Sequence, residues 1–523
     1  GRAAMLLWSR ALLVSLALLT GTLDRATAKP SASVPKPIVP AKVPSLFSLL
    51  PLSFGKLRIA LSGGRKKRIL ILISDTGGGH RASAQALAGL IEQHYGDQID
   101  VSIVDVWTSY TGWPFNRMVR QYRYMQSRPA LWYTMYKTSA FPPTRFFFNS
   151  AQRILAFSGI RACLEEHEPD LVISMHPLCQ TVPLLALAAL QRARHAEWTR
   201  KGRDATASTA GGRMSGLTFS STSGAGSPQR QRGRIPFVTV VTDLGAAHPL
   251  WLHPGVDLCF VPSKSFVRAA KIKGLRDSQL RLHGLPVRQD FTLQKRRGAG
   301  ARRELGLIPD RKTVLIVGGG DGVGKLGAIV QAIGERLGES AQPMQMVVVC
   351  GRNQRLQRQL RDQEWPSSLH VQVEGFVSRM SEFMAAADCI VTKAGPGTIA
   401  EASICGLPVM LSGHLPGQET GNVKHVLANG FGAYSRNPRI IAKTVAAWLD
   451  DPQLLETLSA NARAAARPGA TLQIVRDVVG LLFQNEEDSV LEAQRRGSVL
   501  PVLRGDCRKD SGSMLCNPDV VAV

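Results

Sequence analysis

The residues best suited to do chemistry fall in two short glycine loops. Ser74-Asp75-Thr76-Gly77-Gly78-Gly79-His80 follows the apolar run Arg68–Ile73 and precedes a helical pattern of Ala82, Ala86, Leu87, Leu90 and Ile91. The imidazole of His80 lies within the loop, where it can reach a reacting group. A neutral imidazole at a helix N-terminus loses proton affinity and stays usable as a general base. A capping or packing histidine is the competing reading. The second loop is Thr392-Lys393-Ala394-Gly395-Pro396-Gly397-Thr398-Ile399-Ala400-Glu401. Gly395 and Gly397 leave room for phosphates to approach the backbone, and Pro396 stiffens the turn. Unpaired amides at the start of the following helix favour an anion. Glu401, one turn in, is placed to accept hydrogen bonds from ribose hydroxyls. A tight turn with no ligand would use the same residues.

Further loops join these two. Gly318 to Gly324 holds five glycines in seven residues after the strand candidate Val314–Val317, which points to backbone amides facing phosphates or a sugar. Gly375-Phe376 follows His370–Val373, where backbone and ring can frame a planar base. Asp243 ends the run Ile235–Val241-Thr242 and can orient an imidazole or cap a helix. His248 and His253 lack a third ligand at recognisable spacing, so no metal site is expected. Gly77-x-Gly79-x-x-Ala82, with Asp105 at the end of Val101–Val104, also fits a dinucleotide fingerprint. That leaves an NAD-dependent oxidoreductase as a rival.

Elements that could position these loops alternate strand and helix along most of the chain. In a doubly wound parallel sheet such loops share the carboxyl edge, where ligands bind. The fold class is α/β, with two Rossmann-like doubly wound domains facing a cleft. The divisions read as a presequence over 1–65, a first domain over 66–288 and a linker over 289–310. A second domain over 311–467, a C-terminal helix over 468–484 and a frayed tail over 485–523 follow. Residues 195–234, rich in Gly, Ser, Thr and Arg without periodicity, read as a disordered insertion in the first domain.

The 523 residues carry a net charge of +25. Ten Lys/Arg and no acid lie between Arg25 and Ser74, and His195–Arg234 contributes +5. Removing both leaves +10 for the rest, so nucleic acid is not needed to explain the basicity, and RNP-type and zinc-finger patterns are missing. Eight scattered cysteines form no C-x-x-C pair and read as reduced thiols. Arg2, Arg10, the apolar Ala11–Leu19 and Ala26-Thr27-Ala28 follow signal-peptide grammar, and the acid-free segment after them has transit-peptide composition. Import into a plastid through an extra membrane is the expectation. Trp107 to Tyr136 mixes aromatic rings with Arg117, Arg120 and Arg123, a combination suited to a membrane interface or to an amphipathic core helix.

Taken together, these loops resemble the plant and algal monogalactosyldiacylglycerol synthases. More distantly they resemble the bacterial peptidoglycan glycosyltransferase MurG, in the same inverting GT-B family 28. The matching stretches are Ser74–His80 with Arg81–Ala84, Trp113-Pro114-Phe115, Val241–Asp243 with His248-Pro249, and Gly284–Arg288. Gly318–Gly324, Gly375–Val377, Thr392–Ala402 and Gly417–Asn422 continue the match, over about Arg68 to Val479. The resemblance implies transfer of galactose from UDP-galactose to the free hydroxyl of diacylglycerol, with inversion. By it, Gly318, Gly319, Gly320, Gly322, Ala394, Gly395, Gly397 and Thr398 would hold diphosphate and sugar. Gly375 and Phe376 would hold the uracil and Glu401 the ribose. Gln418, Glu419 and Asn422 belong to the same donor site, the first two facing galactose. His80 would deprotonate the acceptor, with Asp243 as a partner. Helix-end amides would stand in for a metal, so no cofactor is required. Trp113, Pro114 and Trp251 would meet acceptor and membrane. Anionic lipids of the phosphatidylglycerol type, as partners or activators, a homodimer and a peripheral or monotopic place on the plastid envelope complete the expectation. Asp321 stands where the family usually carries Glu, and the insertion is longer than expected. A UDP-glucose-dependent lipid glycosyltransferase and a non-catalytic lipid-binding protein stay open beside it.

Overall fold

Five consecutive apolar residues, Ile69–Ile73, are all buried, as in a strand covered on both faces. They form most of β1 (Lys67–Ile73), an interior strand of the first of two sheets. A computed structural model describes residues 65–210, 234–245, 248–294, 297–318 and 326–495. Residues 64 onward make one compact unit.

The first domain runs β1, α1 (Gly78–Tyr95), β2 (Ile99–Asp105), α2 (Val106–Tyr110), α3 (Met118–Gln126), α4 (Pro129–Ala140) and α5 (Pro142–His167). It continues with β3 (Leu171–Ser174), α6 (Thr181–Ala210), β4 (Phe237–Val240), β5 (Leu258–Val261), α7 (Lys264–Ile272) and β6 (Leu280–Leu282). All strand pairs are parallel, in the order β2-β1-β3-β4-β5-β6. The chain leaves β1 toward β2 and then returns to the other side of β1, so the switch point lies between β1 and β3. In open sheets of this kind ligands bind at that point, outside the strands' carboxyl ends. The loop carrying His80 follows β1.

The second domain repeats this logic. It holds β7 (Lys312–Val317), α10 (Leu326–Gly338), β8 (Met344–Val349), α11 (Gln354–Arg361), β9 (Leu369–Glu374), α12 (Met380–Ala386), β10 (Cys389–Lys393) and α13 (Pro396–Cys405). β11 (Val409–Gly413), α14 (Thr420–Ala428), β12 (Gly432–Tyr434), α15 (Pro438–Asp450) and α16 (Pro452–Ala465) complete it. Its parallel order is β12-β11-β10-β7-β8-β9, with the switch point between β7 and β10. The loop Ala394–Thr398 opens from that point. The two-domain doubly wound architecture is therefore as expected.

Three boundaries differ from the sequence reading. The supposed insertion begins as helix, because α6 runs on to Ala210; residues 211–233 lie outside the described ones. The linker is not a bare tether. It carries α8 (Gln289–Leu293) and α9 (Ala299–Glu304), and Phe291, Ala301 and Leu307 are buried in the second domain's core. The buried Arg302 guanidinium donates to Asp388 and to the Ala386 carbonyl, fixing α9 at the entrance to β10. The last helix, α17 (Ala470–Arg495), is longer than expected and closes the first domain rather than the second. Ile474, Val475, Val478 and Val479, spaced three and four apart, pack with Ile71, Leu87 and Ile91. Burying each such side chain stabilises by about 1.5–3 kcal/mol. Six of the cysteines are described, all free and buried.

Candidate active site

His80 occupies the first turn of α1 and is buried. Its Nδ1 lies 2.6 Å from Oγ1 of Thr242, just past β4. The ring meets His176 edge-on at 4.7 Å and Trp251 at 6.1 Å. Burial lowers the pKa of His80 to about 4, while the charge of Asp75 and the Met175 carbonyl work the other way. The imidazole is thus neutral near pH 7, chiefly by desolvation rather than by the helix dipole. His176 lies just past β3. Its Nδ1 accepts from the Leu178 amide at 3.3 Å, so Nε2 carries the proton and donates to Oγ1 of Thr76 at 2.9 Å.

Asp243 is not the partner of His80. Successive residues of an extended segment point to opposite sides, and Thr242 takes the side facing His80. The carboxylate of Asp243 instead accepts from the indole N–H of Trp251 at 2.7 Å. Burial raises its pKa to about 6; the donors on Trp251 and Gln418 oppose that rise and the charge of Glu419 adds to it. Trp251, expected at a membrane, is fully buried beneath this carboxylate. The cause is its indole N–H, which finds its acceptor inside the domain.

On the opposite wall, Pro396 lacks an N–H at the first position of α13, so the outward amides there are those of Gly397 and Thr398. No atom lies within 4 Å of where a Cβ on Gly397 would stand. The Gly395 amide is engaged by the Lys393 carbonyl at 2.7 Å and is unavailable to a phosphate. Ala394 is buried, its amide on the Gly413 carbonyl. Glu401, half-buried, is pushed up to about 7 by burial; Arg288 opposes the shift and Asp290 adds to it. Gly375 accepts from the Gly351 amide, and Phe376 stands 68% exposed with the Arg352 guanidinium 5.9 Å from its ring centre. Gly318 follows β7, its amide on the Val349 carbonyl, while Gly319, Gly320 and Gly322 lie outside the described residues.

The polar residues of the stretch Gly417–Asn422 divide by role. Glu419 is buried, with one oxygen on Lys393 Nζ (3.0 Å) and the other on the Leu415 amide (2.7 Å), so it holds its own loop together. Asn422 clamps the two domains: its Oδ1 accepts from the Gly245 amide and its Nδ2 donates to the Ala394 carbonyl, both at 2.9 Å. Both residues are occupied within the protein rather than free for the sugar. Oε1 of Gln418 is buried and has no hydrogen-bond partner among the described residues.

Two glycines let the domains approach this closely. A Cβ on Gly245 would fall 1.9 Å from the Gly421 carbonyl carbon. Gly417 has φ +85°, and a Cβ there would lie 2.4 Å from Cδ1 of Tyr136 on α4. Tyr122 and Trp132 pack beside Leu415 in the same junction. Sequence reasoning missed Thr242, His176 and Lys393 as site residues. The one available signal was that His176, like Asp243, lies just past a strand.

A model of monogalactosyldiacylglycerol (MGDG) synthase matches residues 80–197 and 222–287, and one of the glycosyltransferase family 28 C-terminal domain matches 313–465. Monogalactosyldiacylglycerol synthase 1, chloroplastic, of Arabidopsis thaliana is 40% identical over 421 residues, 79% of this chain and 71% of that one. The chloroplastic synthase of Spinacia oleracea is 39% identical over 422 residues, 80% of this chain and 73% of that one. The chain belongs to the monogalactosyldiacylglycerol synthase family. Among solved structures, Acinetobacter baumannii MurG is similar with a TM-score of 0.47 and 16% identity, covering 79% of this chain and 99% of that one.

In this member of the monogalactosyldiacylglycerol synthase family the aromatic and basic stretch splits in two. Trp107, Phe115, Tyr122 and Trp132 are buried, whereas Trp113 is 56% exposed and Pro114 half-buried. The outward apolar face continues along α5 with Phe146 (68%), Phe147, Ile154 (78%) and Leu155. No Asp or Glu occurs from 106 to 164, which hold eight Lys/Arg. No helix among the described residues is long and apolar enough to cross a membrane. Among those residues no group of three or more His, Cys, Asp or Glu is placed to hold a metal ion.

Proposed function

We propose that this protein transfers galactose from UDP-galactose to the free hydroxyl of diacylglycerol with inversion. One observation carries the reading: the segment Thr242–Gly245 ties the two halves of the chemistry together. Thr242 holds His80, and three residues on, Gly245 holds Asn422, which in turn bonds Ala394 of the donor loop. Three residue steps span at most about 11 Å. Both contacts therefore belong to one junction between the domains, and the proposed base and anion-binding helix start are set on its two sides.

In this mechanism the Gly397 and Thr398 amides take the diphosphate, Glu401 the ribose hydroxyls and Phe376 the uracil face. Oε1 of Gln418 is the free acceptor for a galactose hydroxyl. The acceptor oxygen attacks the anomeric carbon from the side opposite the diphosphate, the bond to UDP breaks, and the hydroxyl proton passes to Nε2 of His80. With a pKa near 4, the imidazole takes that proton only as the oxygen bonds to carbon and becomes acidic. Asp75 then favours the imidazolium. Helix-start amides balance the charge on UDP without a required metal.

The exposed face of α5 with Trp113 docks on the plastid envelope, where apolar rings enter the head-group layer and the acid-free basic stretch attracts anionic lipid of the phosphatidylglycerol type. Incubation with labelled UDP-galactose or UDP-glucose and diacylglycerol tests the reaction. A galactolipid from the first donor is expected, and a glucolipid or no glycolipid refutes it. His80→Ala lowers transfer by about 100-fold or more while UDP binding stays near native. Normal turnover in that variant removes His80 from the mechanism.

A further inference from the structure

Two of the three buried histidines around the junction have their tautomer set by the backbone. The Leu178 amide donates to Nδ1 of His176, and the Leu250 amide donates to Nδ1 of His248, leaving Nε2–H to donate to Thr76 and to Ser139. His80 has no such amide. Its side-chain hydrogen bond among the described residues is the 2.6 Å contact between Nδ1 and Oγ1 of Thr242, both groups being buried. An imidazole that takes a proton at Nε2 must carry its resting proton on Nδ1.

We propose that Thr242 is the positioning residue of the transfer reaction: its hydroxyl oxygen accepts the Nδ1–H of His80, fixes the ring and leaves the Nε2 lone pair toward the acceptor. The inference rests on the reading of His80 as base. A hydroxyl in this place differs in consequence from a carboxylate. It orients the ring without fixed negative charge, so the resting imidazole is not drawn into an ion pair and stays neutral. Asp243, the adjacent carboxylate, is turned away and held by Trp251. The remaining groups facing the ring are Asp75 and the Met175 carbonyl, both of which favour its protonation, the neutral His176 and Trp251.

The test uses the full chain with His80 and its neighbours labelled with 15N. In the native protein the ring nitrogens of His80 are expected to show a protonated Nδ1 and an unprotonated Nε2 at pH 7. A proton resident on Nε2 overturns the proposal without any variant. Thr242→Val removes the hydroxyl at nearly constant shape. It is expected to mix the two tautomers and to lower kcat about tenfold, with KM for UDP-galactose within twofold. Thr242→Ser restores the single tautomer and most of kcat. A valine variant with native kcat and an unchanged 15N pattern refutes the role. If the valine variant mixes the tautomers while His80→Ala keeps full activity, the hydrogen bond stands and the assignment of His80 as base fails instead.

Discussion

Gly417→Ala tests whether the junction between the domains is as tight as the geometry states. Gly417 has φ +85°, where an L-residue is strained by roughly 1–2 kcal/mol. The added methyl would also stand 2.4 Å from Cδ1, 2.9 Å from Cε1 and 3.0 Å from Cγ of Tyr136. Ordinary contact begins near 3.5 Å, so ring and loop must part by about 1 Å, an overpacking cost of about 1–3 kcal/mol. The sum is about 2–5 kcal/mol. Because Gly417 lies between β11 and α14 of the second domain and Tyr136 on the first domain, the clash, about 1–3 kcal/mol, falls on their approach, while the φ strain stays local to the loop. At 1.36 kcal/mol per tenfold, the clash alone should lower kcat/KM by at least ~5-fold. Steady-state transfer from UDP-galactose measures it, with circular dichroism to confirm the fold. Adding Tyr136→Ala removes the clash and leaves the φ strain, so the double variant should recover about 1–3 kcal/mol relative to Gly417→Ala alone. A single variant within threefold of native, or a double variant with no recovery, refutes the argument.

Three further outcomes are expected. Glu401→Ala weakens UDP binding measured by calorimetry; because burial holds the native carboxyl near 7, native affinity should rise from pH 6 to 8 as it ionises, and Glu401→Gln should abolish that rise. His248 has a folded pKa of about 4, lowered by burial from 6.5. The unfolded chain therefore takes up the proton first on acidification, and this stability, full above 6.5, is lost as pH falls toward 4. The loss between pH 7 and 5 is about 2 kcal/mol, and His80 adds a similar amount. Asp243 works in the other direction, its raised folded pKa of about 6 favouring the native state at low pH and losing that contribution as pH rises through 6. Urea midpoints should fall from pH 7 to 5, and by about 2 kcal/mol less in His248→Gln. Phe146→Glu with Ile154→Glu should cut binding to phosphatidylglycerol vesicles at least ~10-fold by sedimentation, and unchanged binding would remove this face from the docking surface.

The local grammar of the chain determined a great deal. Apolar runs ending in glycine loops and followed by helical spacing place the strands to within a few residues, since backbone geometry at a strand–loop–helix junction depends on neighbours in sequence. The same loops carry the family resemblance. Tertiary structure decided which side chains meet. Thr242 reaches His80 across 162 positions and Asn422 reaches Gly245 across 177, and no local pattern chooses between Thr242 and Asp243 for that contact. Burial decided the rest: it took Trp251 from the membrane to the core, turned Glu419 and Asn422 inward as clamps, and neutralised His80. Desolvation and hydrogen-bond partners are properties of the packed volume, contributed by segments that the sequence keeps far apart.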